Sequence, residues 1–180
     1  MIYIALLRGI NVGGKNKIDM KLLKQTFEQV GMNDVVTYIN TGNIIFSSKS
    51  SNKNELSLIL EEAIHGDFGL PIKVIVRSFN DVSRIIQAIP DDWRNDKDMK
   101  SDVMFLWDEI DDESILKELV IKPIDTVKYV PGAILWSVDK ENITKSGMTK
   151  IIGSKLYKQV TVRNVNTARK IYELMHGQNN

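Results

Sequence analysis

Two stretches of the sequence, KVIVRSFNDVSRII at residues 73–86 and QVTVRNVNTARKIY at residues 159–172, align without gaps. In each stretch, an apolar run typical of a β-strand passes through an arginine into a segment with the apolar spacing of a helix. The stretches are offset by 86 positions and share five identities: Val74/Val160, Val76/Val162, Arg77/Arg163, Asn80/Asn166 and Ile85/Ile171. Matched segments near the ends of two halves favour a duplicated fold.

The segments before these two stretches predict the same order of elements in both halves. In the first half, strands are expected at IYIALL, VVTYIN, NIIFSS and IKVIV, and helices at MKLLKQTFEQV after an Asp19 N-cap, NELSLILEEAIHGDFG and FNDVSRIIQAI. In the second half, strands are expected at VMFLW, TVKYV, AILWSV and QVTVR, and helical segments at DDESILKELV, KSGMTKIIGSKLYK and NTARKIYELM. This order predicts an α+β fold of two ferredoxin-like β-α-β-β-α-β halves, each with a trailing helix.

The boundary between the halves is expected at the polar stretch around residues 93–100, which is dense in both charge signs. We therefore predict a first half over residues 1–92, a connecting loop over 93–100 and a second half over 101–180.

Composition excludes several function classes. Basic and acidic side chains number 24 and 23, so the net charge is +1 and no global field draws the chain to nucleic acid or an anionic membrane; either partner would need a local patch. The chain has no cysteine and two widely separated histidines, which argues against disulfides, thiolate chemistry and a metal site. With no basic leader and no apolar stretch of membrane-spanning length, we expect a cytoplasmic protein with no membrane partner.

The loop RGINVGGKN at residues 8–16 follows the first strand and resembles a phosphate-binding loop. Gly9, Gly14 and Lys15 fit the G-x-x-x-x-G-K pattern, but Asn16 stands where the pattern needs Ser or Thr, and the helix signal starts only at Asp19. These departures argue against a nucleotide hydrolase.

Two other interpretations of the loop remain open. In the structural one, the glycines adopt positive φ while Asn11 bonds the local backbone. In the functional one, Arg8 and Lys15 supply positive charge, the amides of Val12 to Gly14 hold an anion, and Gly13 and Gly14 allow close approach of a ligand.

Two further segments contain candidate ligand contacts. The turn NTGN at residues 40–43 is explained by tight-turn geometry, but in a ferredoxin-like half Asn43 would share a rim with Arg8. In the second half, Asn164 or Asn166 is expected to cap the last helix, and Arg163, Asn164 and Thr167 would form an anion site at its N-terminus. No catalytic constellation and no cofactor can be assigned.

The ferredoxin-like order also raises RNA recognition, but the first and third strands carry only Tyr3 and Phe46 as aromatics, which argues against it. Strands such as IYIALL are apolar at successive positions, so both faces are expected to be buried, one of them against the partner half or a second copy in a homodimer.

The chain resembles the bacterial domain-of-unknown-function family 1697. The resemblance rests on LLRGINVGGKNKIDM, TYINTGNIIF and TVRNVNTARKIYEL, with Thr41 standing where the family usually has Ser. It implies an α+β protein with ferredoxin-like halves and no established activity. The motif positions that carry over are Arg8, Gly9, Asn11, Gly13, Gly14, Gly42, Asn43, Arg163, Asn164 and Thr167.

Three functions are compatible with the sequence. They are a binding module for a small anionic or phosphate-bearing ligand at the RGINVGGK rim, an enzyme acting on such a ligand through unassigned residues, and a structural or protein-interaction protein.

Overall fold

The structure, a computed structural model, describes residues 1–179. It contains two four-stranded antiparallel sheets with helices, which confirms the α+β class. By its internal contacts the chain divides into two compact units, one of Met1–Val82 with the segment from Ile171 onward, the other of Ser83–Lys170. The division into domains at residues 92 and 101 stays a prediction.

The first sheet has the strand order β2-β3-β1-β4. Its elements follow the chain as β1 (Ile2–Leu7), α1 (Met20–Gln29), β2 (Asn33–Tyr38), β3 (Asn43–Ser47), α2 (Lys53–Phe68) and β4 (Val74–Ser78). The predicted N-cap at Asp19 is confirmed, because its side chain accepts from the amides of Lys21 and Leu22.

Residues on both faces of the central strand β1 are buried. Tyr3, Ala5 and Leu7 belong to the core that α1 and α2 cover, and Ile4 and Leu6 on the opposite face are also fully buried. The continuous apolar run IYIALL is thus explained within the single chain, so it gives no separate argument for a dimer; the homodimer stays a prediction.

The second sheet has the strand order β6-β7-β5-β8. Its strands are β5 (Met99–Leu106), β6 (Thr126–Val130), β7 (Ala133–Asp139) and β8 (Val160–Asn164). One face packs a core around Met104, Ile134 and Trp136. Strand β5 begins at Met99, one residue before the predicted end of the connecting loop at residue 100.

The helix predicted at DDESILKELV is absent. Its residues, 111–120, contain only the short 3-10 segment Glu113–Glu118, which follows another 3-10 segment at Asp108–Ile110. The physical reason lies in the acidic residues, whose side chains bond to other groups: Asp112 accepts from the Ser114 amide, and Asp111 accepts from the Tyr129 hydroxyl and the Gly132 amide.

The helical segment predicted at KSGMTKIIGSKLYK is also interrupted. It contains a four-residue helix α4 (Met148–Ile151) between 3-10 segments Lys140–Lys145 and Leu156–Gln159. Ser154 ends α4 by bonding back to the Ile151 carbonyl through both its amide and its hydroxyl, and Gly153 beside it is a poor helix former.

Helices α3 (Phe79–Ala88) and α5 (Val165–Asn179) each follow the last strand of a sheet directly. In α3, the Ser78 hydroxyl accepts from the Asp81 amide while Asp81 accepts from the Ser78 amide, which makes a capping box. In α5, Asn164 is the cap, accepting from the Thr167 amide at 2.9 Å.

Candidate functional site

The loop at residues 8–17 leaves the sheet beside the turn at residues 40–43. Leu6 pairs with Asn43 in the β1–β3 ladder, and the Leu7 amide donates to the Gly42 carbonyl at 2.9 Å. The Arg8 amide donates to the Lys73 carbonyl at 3.1 Å, so the start of the loop is also fixed to the segment before β4. The loop and the turn therefore lie at the same end of the first sheet, where β1 ends and β3 begins.

The loop itself is a small hairpin. The Asn11 amide donates to the Asn16 carbonyl and the Lys15 amide to the Val12 carbonyl, both at 3.1 Å. At its tip Gly13 and Gly14 have φ of 59° and 73°, the positive values that a tight hairpin turn needs at both central positions. A Cβ added to either glycine would meet no protein atom within 4 Å, so the backbone conformation, rather than crowding, requires glycine there.

Asn11 holds this hairpin in place with its side chain. Its Oδ1 accepts from the Ile18 amide at 2.8 Å, and its Nδ2 donates to the carbonyls of Ile18 at 3.0 Å and Asn40 at 2.8 Å. Because both ends of the amide group are bonded to backbone, Asn11 acts as a positioning residue for the loop and the turn.

Asn43, the candidate contact in the turn, is fully buried. Its Nδ2 donates to the Tyr38 carbonyl and to the Thr41 Oγ1, both at 3.1 Å. Beside it Gly42 has φ of 88°, and a Cβ there would lie 2.7 Å from the Leu7 Cβ. Both residues therefore stabilise the turn itself, which agrees with the interpretation that tight-turn geometry explains this segment.

A depression with a volume of about 380 Å³ opens between the hairpin, the turn and the start of α1. It is lined by Asn11, Gly14, Lys17, Ile18, Asp19 and Asn40. Lys17 is exposed, as is Lys15, which follows the lining residue Gly14 in the chain, while the carboxylate of Asp19 is bonded to the first amides of α1. Lys17 was not among the residues proposed from sequence, since nothing in the spacing of KNKI places its side chain beside Asn40.

A phosphate-loop arrangement is absent from this region. Helix α1 begins at Met20 instead of at Gly14, and the sheet is antiparallel. Both observations agree with the argument from Asn16 against a nucleotide hydrolase.

The three candidate residues of the second half lie at the junction of β8 and α5. Asn164 and Thr167 are joined by the capping bond. Arg163 is buried and donates through Nη1 to the Val162 carbonyl at 2.9 Å, and burial lowers its pKa to about 10, which leaves it charged at neutral pH.

Two carboxylates of the second unit carry features that the sequence did not indicate. Asp102 is almost fully buried beside Lys100, with 3.0 Å between Oδ2 and Nζ, and burial raises its pKa although Lys100 opposes the shift. Asp125 accepts from the Ser146 hydroxyl and from the amides of Lys122 and Gly147. Ser146 and Gly147 lie 21 and 22 positions from Asp125, so no local pattern indicates these two bonds.

Residues 1–179 contain no group of three or more metal-ligating side chains and no helix able to cross a membrane.

The family model described as "Protein of unknown function (DUF1697)" matches residues 1–136. The chain belongs to this family. The match includes the loop and the turn, whereas TVRNVNTARKIYEL lies beyond it. The family description states no activity for its members.

Among solved structures, the chain is similar to a conserved bacterial protein, SP0830 from Streptococcus pneumoniae, with a TM-score of 0.83 and 28% sequence identity. The similarity covers 97% of this chain and 98% of the other. No curated protein matches the sequence.

Proposed function

We propose that the protein is a binding module for a small anionic or phosphate-bearing ligand, held in the depression between the residue 8–17 hairpin and the residue 40–43 turn. One observation carries the proposal. Within residues 1–179, the successive amides of Gly13 and Gly14 donate to no protein acceptor, and they stand at an exposed tip next to Lys15 and Lys17. Adjacent free amides beside cationic side chains are a common way of holding an anion.

Rigidity of the hairpin supports the proposal. The three hydrogen bonds of Asn11 and the bond from the Asn16 Nδ2 to the Gly9 carbonyl at 2.9 Å hold the tip before any ligand arrives. A preformed site loses less conformational entropy on binding than a mobile loop does.

Arg8 stays a proposed contact at the base of the hairpin, and Arg163, Asn164 and Thr167 stay proposed contacts of an anion at the amino terminus of α5, a separate site in the second unit. Arg8 is half-buried at the base of the hairpin, so its role is tested separately from that of the exposed lysines. Cytoplasmic location is part of the same proposal.

The proposal extends to the fold. The order β2-β3-β1-β4 with helices after β1 and β3 supports a ferredoxin-like first half, and the order β6-β7-β5-β8 supports a second half of the same ancestry in which 3-10 segments replace the helices. Arg77 and Arg163, at matched positions, each donate through Nη1 to the carbonyl of the preceding valine, which supports duplication.

A thermal-shift panel of inorganic phosphate, pyrophosphate, nucleotides and phosphosugars tests the binding module. A ligand at about 100 times its Kd adds nearly 3 kcal/mol to stability, a shift that is readily measured. Lys15→Ala and Lys17→Ala are expected to reduce the shift, whereas Lys21→Ala, an exposed lysine on α1, serves as the matched control.

The sign of the ligand charge is tested by Asp19→Ser. Serine keeps the helix cap while removing a negative charge that lines the depression. Tighter binding of the anion is expected, and weaker binding would contradict an anionic ligand. Turnover of a bound ligand would favour the enzyme alternative. If no ligand in the thermal-shift panel raises the unfolding temperature in a way that depends on Lys15 or Lys17, the structural or protein-interaction role would be favoured.

A further inference from the structure

An exposed apolar run lies in the second unit between the 3-10 segment Glu113–Glu118 and strand β6. All five residues of Val120-Ile121-Lys122-Pro123-Ile124 are exposed, and the three aliphatic side chains retain 46%, 44% and 38% of their accessible surface. Single exposed aliphatic residues are ordinary on a protein surface, but consecutive ones usually mark a contact surface.

The run is fixed against the start of α4 by Asp125. Its Oδ2 accepts from the amides of Lys122 at 2.8 Å and Gly147 at 2.9 Å, and its Oδ1 accepts from the Ser146 hydroxyl at 2.5 Å. The two backbones touch, because a Cβ on Gly147 would overlap the Val120 carbonyl oxygen.

This junction brings further exposed groups close to the run. Lys150 and Ile152 follow Gly147 by three and five residues along α4 and its C-cap, where each residue advances about 1.5 Å. Ile152 retains 66% of its accessible surface. Val120, Ile121, Lys122, Ile124, Lys150 and Ile152 are called the basic aliphatic patch below.

The chain segment that contributes Lys150 and Ile152 to the patch is basic. The sequence has no acidic residue between Glu141 and Glu173, and that interval contains the exposed Lys145, Lys155 and Lys158 in addition to Lys150. In the described part of the chain, Lys122 and these four lysines form no ion pair. The segment before the run carries the exposed Lys117 and three exposed acidic residues, Asp112, Glu113 and Glu118, so the basic character of the patch comes from Lys122 and Lys150.

We infer that the basic aliphatic patch binds the surface of an anionic lipid bilayer. Lysines attract anionic headgroups while exposed aliphatic side chains enter the boundary between headgroups and acyl chains, and these two requirements are met together here. A nucleic acid would use the lysines but would leave the isoleucines and Val120 in water, since aliphatic side chains cannot stack on bases. The patch is local, so a net charge of +1 does not reveal it, and the inference replaces the expectation of no membrane partner.

Co-sedimentation with vesicles of phosphatidylglycerol and, separately, of phosphatidylcholine tests the inference. Binding to phosphatidylglycerol only is expected, and it should weaken as salt increases. Lys150→Ala is expected to lower the partition coefficient about fivefold, the change equivalent to about 1 kcal/mol per lysine near an anionic surface. Ile152→Ser is expected to lower it further in the background of Lys150→Ala.

Matched controls are Lys21→Ala and Leu58→Ser, an exposed lysine and an exposed leucine of the first unit. Both should bind vesicles like the parent protein, and all variants should unfold at the parent temperature because the altered side chains are exposed. Equal binding by Ile152→Ser and the parent would overturn the inference, because the contact would then be electrostatic only.

Two other outcomes would also overturn it. One is lysine-dependent binding to an RNA oligonucleotide without binding to phosphatidylglycerol. The other is self-association in sedimentation velocity that Ile152→Ser abolishes, which would identify a second copy of the chain as the occupant.

Discussion

Replacing Asn11 with alanine should destabilise the first unit more than replacing Asn16 in the same hairpin. The substitution removes three hydrogen bonds, to the Ile18 amide, the Ile18 carbonyl and the Asn40 carbonyl. At about 1 kcal/mol each, less some replacement by water at the exposed Asn40 bond, they contribute about 2 kcal/mol. Alanine at φ of 52° costs about 1 kcal/mol more, because asparagine tolerates the left-handed region better.

The expected loss for Asn11→Ala is therefore about 3 kcal/mol in the free energy of unfolding, measured by urea denaturation with an unchanged m-value. Asn16→Ala is the matched control. It has nearly the same φ of 50° but removes only the bond from Nδ2 to the Gly9 carbonyl, so about 2 kcal/mol is expected.

Asn11→Asp separates the hydrogen bonds from the backbone conformation. Aspartate keeps the acceptor for the Ile18 amide and tolerates the same φ, but it replaces the donor with a carboxylate oxygen that faces the Ile18 and Asn40 carbonyls. Because these oxygens repel one another, a loss at least as large as that of Asn11→Ala is expected. If Asn11→Ala cost less than about 0.5 kcal/mol, the reasoning that the amide holds hairpin and turn together would be refuted.

Three predictions concern the second unit. Gly147→Ala should lower the free energy of unfolding in urea by about 3 kcal/mol, since its Cβ would overlap the Val120 carbonyl oxygen; an unchanged midpoint would contradict the close approach. Burial raises the pKa of Asp125, but hydrogen bonds from Ser146 and two amides lower it below its ordinary value. The ionised Asp125 should therefore stabilise the fold above about pH 4, and this stabilisation should be lost as the pH falls further. In Asp125→Asn, the free energy of unfolding should show less of this decrease in acid. Burial raises the pKa of Asp102, so its ionised form opposes folding at neutral pH and protonation relieves the cost. Asp102→Asn should thus raise the thermal midpoint at pH 7 and have less effect in acid, and a lower midpoint at pH 7 would show that the pair with Lys100 outweighs burial.

Much of the fold follows from local sequence signals. Short apolar runs bounded by Gly, Pro or Asn correctly predicted the strands, and Asp19 correctly predicted the start of α1. These signals are local because an N-cap or a tight turn is stabilised by residues only a few positions away.

The failures have a common physical cause. The apolar spacing of DDESILKELV and KSGMTKIIGSKLYK indicated helices, but Asp111, Asp112 and Ser154 bond to particular backbone groups and interrupt the helical ladder. The bond between Asn11 and Asn40 spans 29 positions, and no local pattern specifies it.

The candidate site was therefore only partly predictable. The sequence predicted positive φ at the glycines of the loop, because few other residues adopt it readily, and the structure has positive φ at Gly13 and Gly14. It did not show that Lys17 and Asn40 line the same depression, since that depends on how the loop folds back onto the turn.

The most direct test of the binding module is a titration of the isotopically labelled protein with inorganic pyrophosphate, followed through backbone amide chemical shifts. The amides of Gly13 and Gly14 are expected to move downfield in a saturable way, with smaller changes at Lys17, and Lys15→Ala should weaken the titration more strongly at low salt than at high salt. Unchanged shifts at Gly13 and Gly14, while pyrophosphate binds elsewhere or not at all, would contradict the proposal that this hairpin holds an anion.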